Sequence, residues 1–557
     1  MLFEYVQFLI QYTLIYSYFL LVGRSFSIII IKYLFKDLNI SEKIFNIKPV
    51  ILYPILGVVL IGNILVIFNF VFPLNSPFVY GILLALLVPN LFQIQKNINF
   101  DFINVVYYLI IPGILIFSTF DISFHYDAGY YHLNTQNWLR ESNLVMGFVN
   151  IFWPFGMLSI YEYISAILWV GNNFVFLHLL NLIFIHFFYL VILDSFIFSK
   201  YIEIKNAAIF VILFSLFDNF GLGGGRNGFL YIQGVSKQDI SVGVLFFFLS
   251  LSMLMFIKYK SISKFELIIL PILCLFIFQL KVSGALVFYL YAWLFFIVFK
   301  RKEYKFKDLF YTQLPFLFFS IVWLIKNILT TGCLIFPLAI SCINSFNWYI
   351  PNSTEGLEYV TKQSSLIFDA SQYSFDEWLS ALLLSDLNRN VIFNFLFSVI
   401  ALCLIKLLFF SKVKNSYNFI IFTASYVFLN LIFLIFFGPI PRYAIGIMIT
   451  VAALIGLFSG QMKINFNKNL FIFLTIASTF LIVRLSSYNA FISNSELFLF
   501  NPSEDIEINS EIGFTNYNEN WVYPSNGDQC WTNLNCSMAK ANIVINENGI
   551  FKTAYKK

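Results

Sequence analysis

The sequence predicts an all-α, polytopic transmembrane bundle of about fourteen spans by the length criterion, with a re-entrant or juxtamembrane helix and a small extracytoplasmic C-terminal tail. Three observations carry that expectation. First, 60% of the 557 residues are hydrophobic and only 11% are charged, whereas about a quarter of a soluble chain is charged. That leaves too little polar surface to coat the chain in water. Second, the apolar residues recur in runs of about 17 to 25, the length a helix needs to cross roughly 30 Å of hydrocarbon, and lipid offers the backbone no other partners. Third, the lysines collect between those runs, where they act as topology signals. The formal charge of +5, distributed in this way, argues against nucleic acid as a partner.

Taken in order, Tyr5 to Val22 lacks a basic leader and a small-residue cleavage site and reads as a retained helix. Further spans are expected at 49–71, 77–95, 102–119, 174–198, 206–218, 239–257, 265–280, 283–299, 311–330, 391–411, 418–437, 442–459 and 469–486. Basic residues cluster at Arg24 to Lys48, Lys96, Lys200 to Lys205, Lys258 to Lys264, Lys300 to Lys307, Lys412 to Lys414 and Lys463 to Lys468. The positive-inside rule makes these segments cytoplasmic. The loops Asp121 to Trp153 and Thr331 to Arg389, with the tail from Ser487 to Lys557, then lie outside. The apolar run Phe155 to Val170 would invert every later loop if it crossed, so it is read as re-entrant or interfacial and as a wall of the site. The chain divides into additional N-terminal helices (1–101), a transmembrane core with two outer loops (102–486) and an extracytoplasmic tail (487–557). Cys530 and Cys536 fall in that tail, where an oxidising compartment allows a disulfide. Cys333 and Cys342 share its side, while Cys274 and Cys403 lie within spans and read as inert core thiols.

Ionisable groups at the membrane boundary are expensive, so those gathered at one face are candidates for function. Asp121 and Asp127 lie in the first outer loop, and Asp239 follows Ser236-Lys237-Gln238 at the outer end of a span. For both Asp127 and Asp239 the competing role is a helix cap. Lys281, with Ser283, occupies a tight outer turn against the positive-inside gradient, and Arg442 stands at a helix mouth between prolines; snorkelling is the alternative for both cations. Two carboxylates and two cations at the outer ends of different spans suit a site that takes a proton and holds a phosphate. A carboxylate against apolar walls is expected to have a raised pKa and to serve as general base. Gly221-Leu-Gly-Gly-Gly-Arg226 reads as a flexible loop with Arg226 a minor phosphate ligand. His178 and His186 share one apolar span and lack partners of metal-ligand type. His125 and His132, near two aspartates, are assigned accessory hydrogen bonds, with a divalent metal ion as the alternative. No resident cofactor is implied beyond that ion.

The stretch Tyr126-Asp127-Ala-Gly-Tyr-Tyr-His132-Leu, followed by Trp138-Leu and Asn150-Ile-Phe-Trp-Pro-Phe-Gly, resembles the first outer loop of bacterial membrane proteins of the GT-C glycosyltransferase superfamily. Further landmarks follow in the same order: Ser236-Lys-Gln-Asp239, Gln279-Leu-Lys281-Val-Ser283, Trp323-Leu-Ile-Lys326-Asn327, Cys333-Leu-Ile-Phe-Pro337, Pro439-Ile-Pro-Arg442-Tyr443 and Gln529-Cys530-Trp531 to Cys536. The likeness runs from about Phe102 to Cys536, leaving the first three spans as an added unit. It implies inverting transfer of a sugar from a polyprenyl-phosphate donor to a glycan or lipid-linked acceptor. Asp127 maps onto the catalytic aspartate, with Asp121 as its competitor. Asp239, Lys281, Arg442, His132, Arg226 and Lys326 are then expected to hold substrate or phosphate, although Lys326 stands where arginine is expected. Two other functions remain open: an O-antigen polymerase or ligase, which would depend on arginines and tolerate loss of Asp127, and a lipid-linked sugar transporter or flippase, which would place polar groups at the midplane. Heavy use of Phe, Ile, Asn and Lys suggests an AT-rich bacterial genome, hence an inner-membrane protein whose site faces the periplasm.

Overall fold

Each long apolar run closes its backbone hydrogen bonds within itself, and the computed structural model of the chain is accordingly dominated by helices. It describes residues 2–30, 44–92, 101–170, 174–220, 228–259, 262–302, 304–370, 372–410, 413, 415–460, 462–493, 514–516, 521–538, 543–547 and 551–556. Among the described residues nine helices are long and apolar enough to cross a membrane: Leu2–Ile29, Pro49–Asn69, Phe102–Asp121, Val175–Phe198, Asp239–Tyr259, Val282–Arg301, Phe306–Thr331, Asp386–Phe409 and Tyr417–Phe436. A tenth is obtained if Lys468–Ile482 and Leu485–Ser493, bent by 75°, count as one span. The chain is thus a multi-pass membrane protein, with nine or ten such helices among the described residues where the sequence predicts about fourteen.

The difference has local causes. The run at 77–95 gives only Pro77–Ala85 before a 3₁₀ turn, Val88–Phe92, that contains Pro89. The helix Ile202–Asn219 carries Glu203, Lys205 and Asp218 within its 18 residues. Lys264–Leu280 and Pro441–Leu457 are 17 residues each, about 25 Å of helix. The run at 469–486 breaks where Val483 turns extended after Ile482. The segment 155–170 does not cross either: a 3₁₀ turn at Trp153–Met157 leads into an eight-residue helix, Ile160–Ile167. That helix is buried against Pro49–Asn69 and Leu133–Glu141, and its length, about 12 Å, is less than half a bilayer.

The first helices are tied into the rest by buried polar bonds. Tyr12 shares a hydrogen bond with His186 Nδ1 at 2.8 Å, and Gln279 Nε2 donates to Asn63 Oδ1 at 2.9 Å. His178 Nε2 pairs with Ser118 Oγ at 2.8 Å, so both membrane histidines serve internal bonds. Cys274 is buried, but Cys403 is exposed on its helix, contrary to the core role expected of it. The tail adds two small antiparallel sheets, Phe514–Asn516 with Val522–Pro524 and Ile543–Asn546 with Thr553–Lys556. They are joined by a hydrogen bond from Trp521 Nε1 to the Ile543 carbonyl at 3.1 Å.

Candidate functional site

After Phe102–Asp121 the chain turns back across a second extended segment. Phe124 and Val235 form an isolated parallel bridge, and the Val235 N–H donates to the Ser123 carbonyl at 2.9 Å. Gly234 makes the approach possible, since a Cβ there would lie 2.6 Å from that same carbonyl oxygen. The bridge lays Ser236 to Asp239 alongside His125 to Asp127. Lys237 then donates to the Asp127 carboxylate in an ion pair whose members are 7% and 24% exposed. Asp127 precedes a π-helical turn, Ala128–His132, yet its side chain makes no capping bond. The cap role that competes with function is therefore not the one it plays here.

A second ion pair is built by helix crossing. Asp239 opens one helix and Arg442 is the second residue of Pro441–Leu457. Four residues beyond Asp239 and Arg442, Gly243 and Gly446 meet. A Cβ on Gly446 would lie 2.4 Å from the Gly243 carbonyl oxygen, and one on Gly243 2.5 Å from Ile445 Cγ2. Close contact one turn in brings the two N-termini together, and with them the positive ends of two helix dipoles. Lys281, from the turn between Lys264–Leu280 and Val282–Arg301, donates to Asp239 and stands 5.0 Å from the centre of the Tyr443 ring. The Arg442 guanidinium is 5.3 Å from the same ring, and its Nε is buried without a hydrogen-bond partner among the described residues. Asp239, Ser283, Phe433, Arg442 and Tyr443 line a cleft of about 380 Å³, its open mouth included.

The two pairs sense one another. Burial pushes the Asp127 carboxyl up, but the Lys237 charge and hydrogen bond, with the nearby His132 and His125, outweigh burial and hold it below the usual carboxylate range. The raised pKa expected of this group is thereby corrected: a lysine, not an apolar wall, sets it. Lys237 is itself lowered by burial and by Lys281, against the opposing pull of Asp127 and Asp239. His125 is pushed down to about 4 by burial and by Lys237. Its unfolded value is about 6.5, so the unfolded chain takes the proton first and stability is lost as pH falls from about 6.5 towards 4. Asp127 contributes only in a lower window, below its unfolded value of about 3.9. Melting curves across that pH range are expected to show the decline, and His125→Gln to make it shallower without abolishing it.

The other residues singled out in the sequence are placed elsewhere. Asp121 accepts a hydrogen bond from Ser486 Oγ, and its charge acts on His178 together with that of Arg484. Lys326 is fully buried, donates to the Leu158 carbonyl at 2.8 Å and to Asn327 Oδ1 at 2.9 Å, and lies 3.9 Å from the Trp323 ring centre. It anchors the approach to Ile160–Ile167 and does not face the cleft. His132 is 2% exposed and bonded to Glu162, a carboxylate inside the short buried helix. Arg226 and the glycine-rich stretch before it lie outside the described residues. Among the described residues no three His, Cys, Asp or Glu side chains group as metal ligands. With Asp127 taken by Lys237 and His132 by Glu162, the residues present do not fit the divalent ion considered above. Lys237 and Glu162 carried signals in the sequence: one sits in the quoted Ser-Lys-Gln-Asp motif, the other is a lone carboxylate in an apolar run.

The tail caps this region. Cys530 and Cys536 are joined as the sequence suggested, and Cys333 is joined to Cys342 as well. Inside the Cys530 loop the Trp531 N–H donates to the Gly129 carbonyl at 2.8 Å, and Gln529 Nε2 donates to the Tyr126 carbonyl at 3.1 Å. Tyr126 bonds Asp528, and Asn137 Nδ2 donates to the Thr532 carbonyl at 2.8 Å. A Cβ on Gly129 would lie 2.6 Å from Gln529 Oε1 and 2.7 Å from Trp531 Cε2. Gly129→Val is therefore expected to lift the cap from the Asp127 turn, read as faster proteolysis of the tail in the folded protein.

No curated protein and no solved structure matches the chain. A family model described as a domain of unknown function (DUF8201) matches residues 6–449, a span that takes in the first helices and both ion pairs but stops short of the cap. The chain belongs to this family.

Proposed function

We propose that the chain is a membrane glycosyltransferase of the GT-C type, which moves a sugar from a polyprenyl-phosphate donor to a glycan or lipid-linked acceptor. The reaction is placed at the periplasmic face of a bacterial inner membrane. One observation carries the reading: Asp127–Lys237 and Asp239–Lys281, with Arg442 in electrostatic reach of both carboxylates, come from four remote segments and gather at one end of the bundle. Three cations against two carboxylates leave one positive charge in excess, beside two helix N-termini, which favours a phosphate. Arg442 Nε, without a hydrogen-bond partner among the described residues, is a donor available to meet it.

In this mechanism the incoming phosphate draws Lys237 away from Asp127. The freed carboxylate accepts the acceptor hydroxyl's proton as its oxygen attacks the anomeric carbon, and the carbon–oxygen bond to phosphate breaks on the opposite side. The displaced phosphate keeps the electron pair, with Arg442 and Lys281 stabilising its charge. The sidedness rests on the opposite ends of the same helices. Asp239–Tyr259 starts at the cleft and ends where Lys258 pairs with Glu203 and donates to the Leu457 carbonyl at 2.7 Å. Two disulfides on the other side fit an oxidising compartment.

The test is the lipid-linked pool of a deletion strain. Accumulation of a polyprenyl-phosphate monosaccharide together with loss of a surface glycan supports the transferase. Accumulation of a lipid-linked oligosaccharide repeat would favour a polymerase or ligase. A sugar lipid trapped on the cytoplasmic leaflet would favour a flippase.

A further inference from the structure

We infer that the disulfide-closed loop from Cys333 to Cys342 is a membrane-docking surface: its apolar side rests among the phospholipid acyl chains and glycerol groups of the leaflet at the cleft end of the bundle. This goes beyond the transferase reading and does not need it. The loop follows the helix Phe306–Thr331, which runs in the same direction as Lys264–Leu280. Near their starts Lys264 pairs with Asp308 at 3.5 Å, and Gln313 Nε2 donates to the Leu267 carbonyl at 3.4 Å. Gly332, which caps the end of the one, therefore lies at the same end of the bundle as Lys281, which caps the end of the other.

Composition sets this loop apart. Residues 327–354 contain no Asp, Glu, Lys or Arg, whereas about a quarter of a soluble chain is charged. Ile340 is 96% exposed, and Leu334, Leu338 and Ile343 are exposed with it. A single exposed aliphatic side chain is ordinary on a protein surface, but a group of them marks contact with another apolar phase. What that phase is follows from the helix below. Phe310, Leu314, Phe318, Ile321 and Ile325 are exposed along Phe306–Thr331 at intervals of three or four residues, the spacing of one helix face. On a spanning helix such a stripe meets acyl chains, and Ile325 is only about 9 Å of helix from Thr331. The stripe thus runs up to the base of the loop. The residues just after the loop have the make-up of a bilayer boundary. Asn344, Ser345 and Asn347 are exposed, polar and uncharged, while Phe346 stacks on Trp348 at 4.6 Å and Trp348 Nε1 donates to the Ile328 carbonyl at 3.2 Å. Rings with a polar handle gather at that depth.

The loop is also built to hold its shape there. The Leu334 N–H donates to the Ser341 carbonyl at 3.0 Å and the Ile335 N–H to Ser341 Oγ at 3.0 Å, and that hydroxyl donates back to the Ile335 carbonyl at 2.9 Å. Backbone groups satisfied within the loop lower the cost of approaching hydrocarbon. From the next helix, Glu358 Oε2 accepts from the Ala339 N–H at 2.8 Å, and Glu358 is itself paired with Lys362. On the inner side Phe336 is buried with Cys333 and Tyr349 and sits on the turn Trp153–Met157, where a Cβ on Gly156 would lie 2.6 Å from Phe336 Cε1. A braced loop resting in lipid therefore fixes the depth of that turn, and of the short buried helix after it, relative to the bilayer.

The test uses full-length protein in vesicles of phosphatidylethanolamine and phosphatidylglycerol. Cys403→Ser removes the exposed free thiol, and a nitroxide is attached at Ile340→Cys. Its collisions with oxygen, which concentrates among acyl chains, are compared with its collisions with a water-soluble nickel chelate. The oxygen-to-chelate ratio is expected to be several-fold above that at Asn526→Cys, exposed in the tail, and to approach that at Ile325→Cys on the lipid stripe. A ratio equal to that at Asn526→Cys places the loop in water and overturns the inference. Low collision with both reagents places it under protein, a second copy of this chain or another partner, and overturns it too. If the added thiol displaces Cys333 or Cys342 from their disulfide, as seen in the peptide masses of an unreduced digest, Ile340→Trp takes its place. Its emission above that of the nine native tryptophans is expected to be quenched by lipids brominated near the glycerol end of the chain, and unquenched emission overturns the inference. No sugar lipid enters either measurement, so the outcome is independent of the transferase reading, which the lipid-linked pool decides.

Discussion

Asp127→Asn is expected to leave a deletion strain without its glycan even when the variant reaches the membrane at wild-type level. Asn keeps the shape of the side chain and its ability to accept a hydrogen bond, so the loop need not rearrange. What it loses is the carboxylate that takes the proton, a contribution of about 10² to 10⁴ in rate. The same change leaves Lys237, 7% exposed, without its anion, and part of any effect will come from that source. Lys237→Met separates the two, because it frees Asp127 while removing one phosphate ligand. Weakened but measurable glycan is expected there, against none for Asp127→Asn. Full restoration by Asp127→Asn sinks the base assignment and moves the polymerase reading forward.

The largest loss of stability is expected at Asp239. Its side chain is 3% exposed and faces Lys281, with Arg442 close enough to act on it. Asp239→Asn strands two cations at a helix mouth, and removing one partner of a buried pair costs about 3 kcal/mol or more. The purified protein should melt well below the wild type. Adding Lys281→Met should recover much of the loss, since the double change also removes the stranded charge, and the non-additivity measures the coupling. Equal melting temperatures for Asp239→Asn and the wild type would show the pair to be solvated and peripheral.

Asp127, Asp239, Lys281 and Arg442 were legible in the sequence for one reason: each is a charge close to the end of an apolar run, where the bilayer makes charge expensive. Proximity was not legible. Nothing in the order of residues says that Gly243 and Gly446 let two helices touch one turn below Asp239 and Arg442. Lys326 shows the converse, a cation in a suggestive segment whose side chain turns inward to a carbonyl. Glu162 is not legible as a partner because a lone carboxylate in an apolar run does not say which buried groups, here His132 and Gln136, it meets. The number of helices long and apolar enough to cross, nine or ten among the described residues against about fourteen expected, differs for a related reason. Hydropathy windows run on across Pro89 and across the break after Ile482, and they tolerate the charges of Ile202–Asn219, although each limits what a helix of that composition can cross.

The docking of the Cys530 loop has a bearing on timing. Gln529 and the Tyr126 carbonyl it binds are 403 positions apart, so a ribosome has made and inserted most of the bundle before the partner of the Asp127 turn exists. Until those later residues are made and fold back, the turn lacks the bonds that Gln529 and Trp531 give it. A chain not yet made as far as Gln529 therefore carries both ion pairs without the cap, and the Asp127 turn is the last part of this region to be completed.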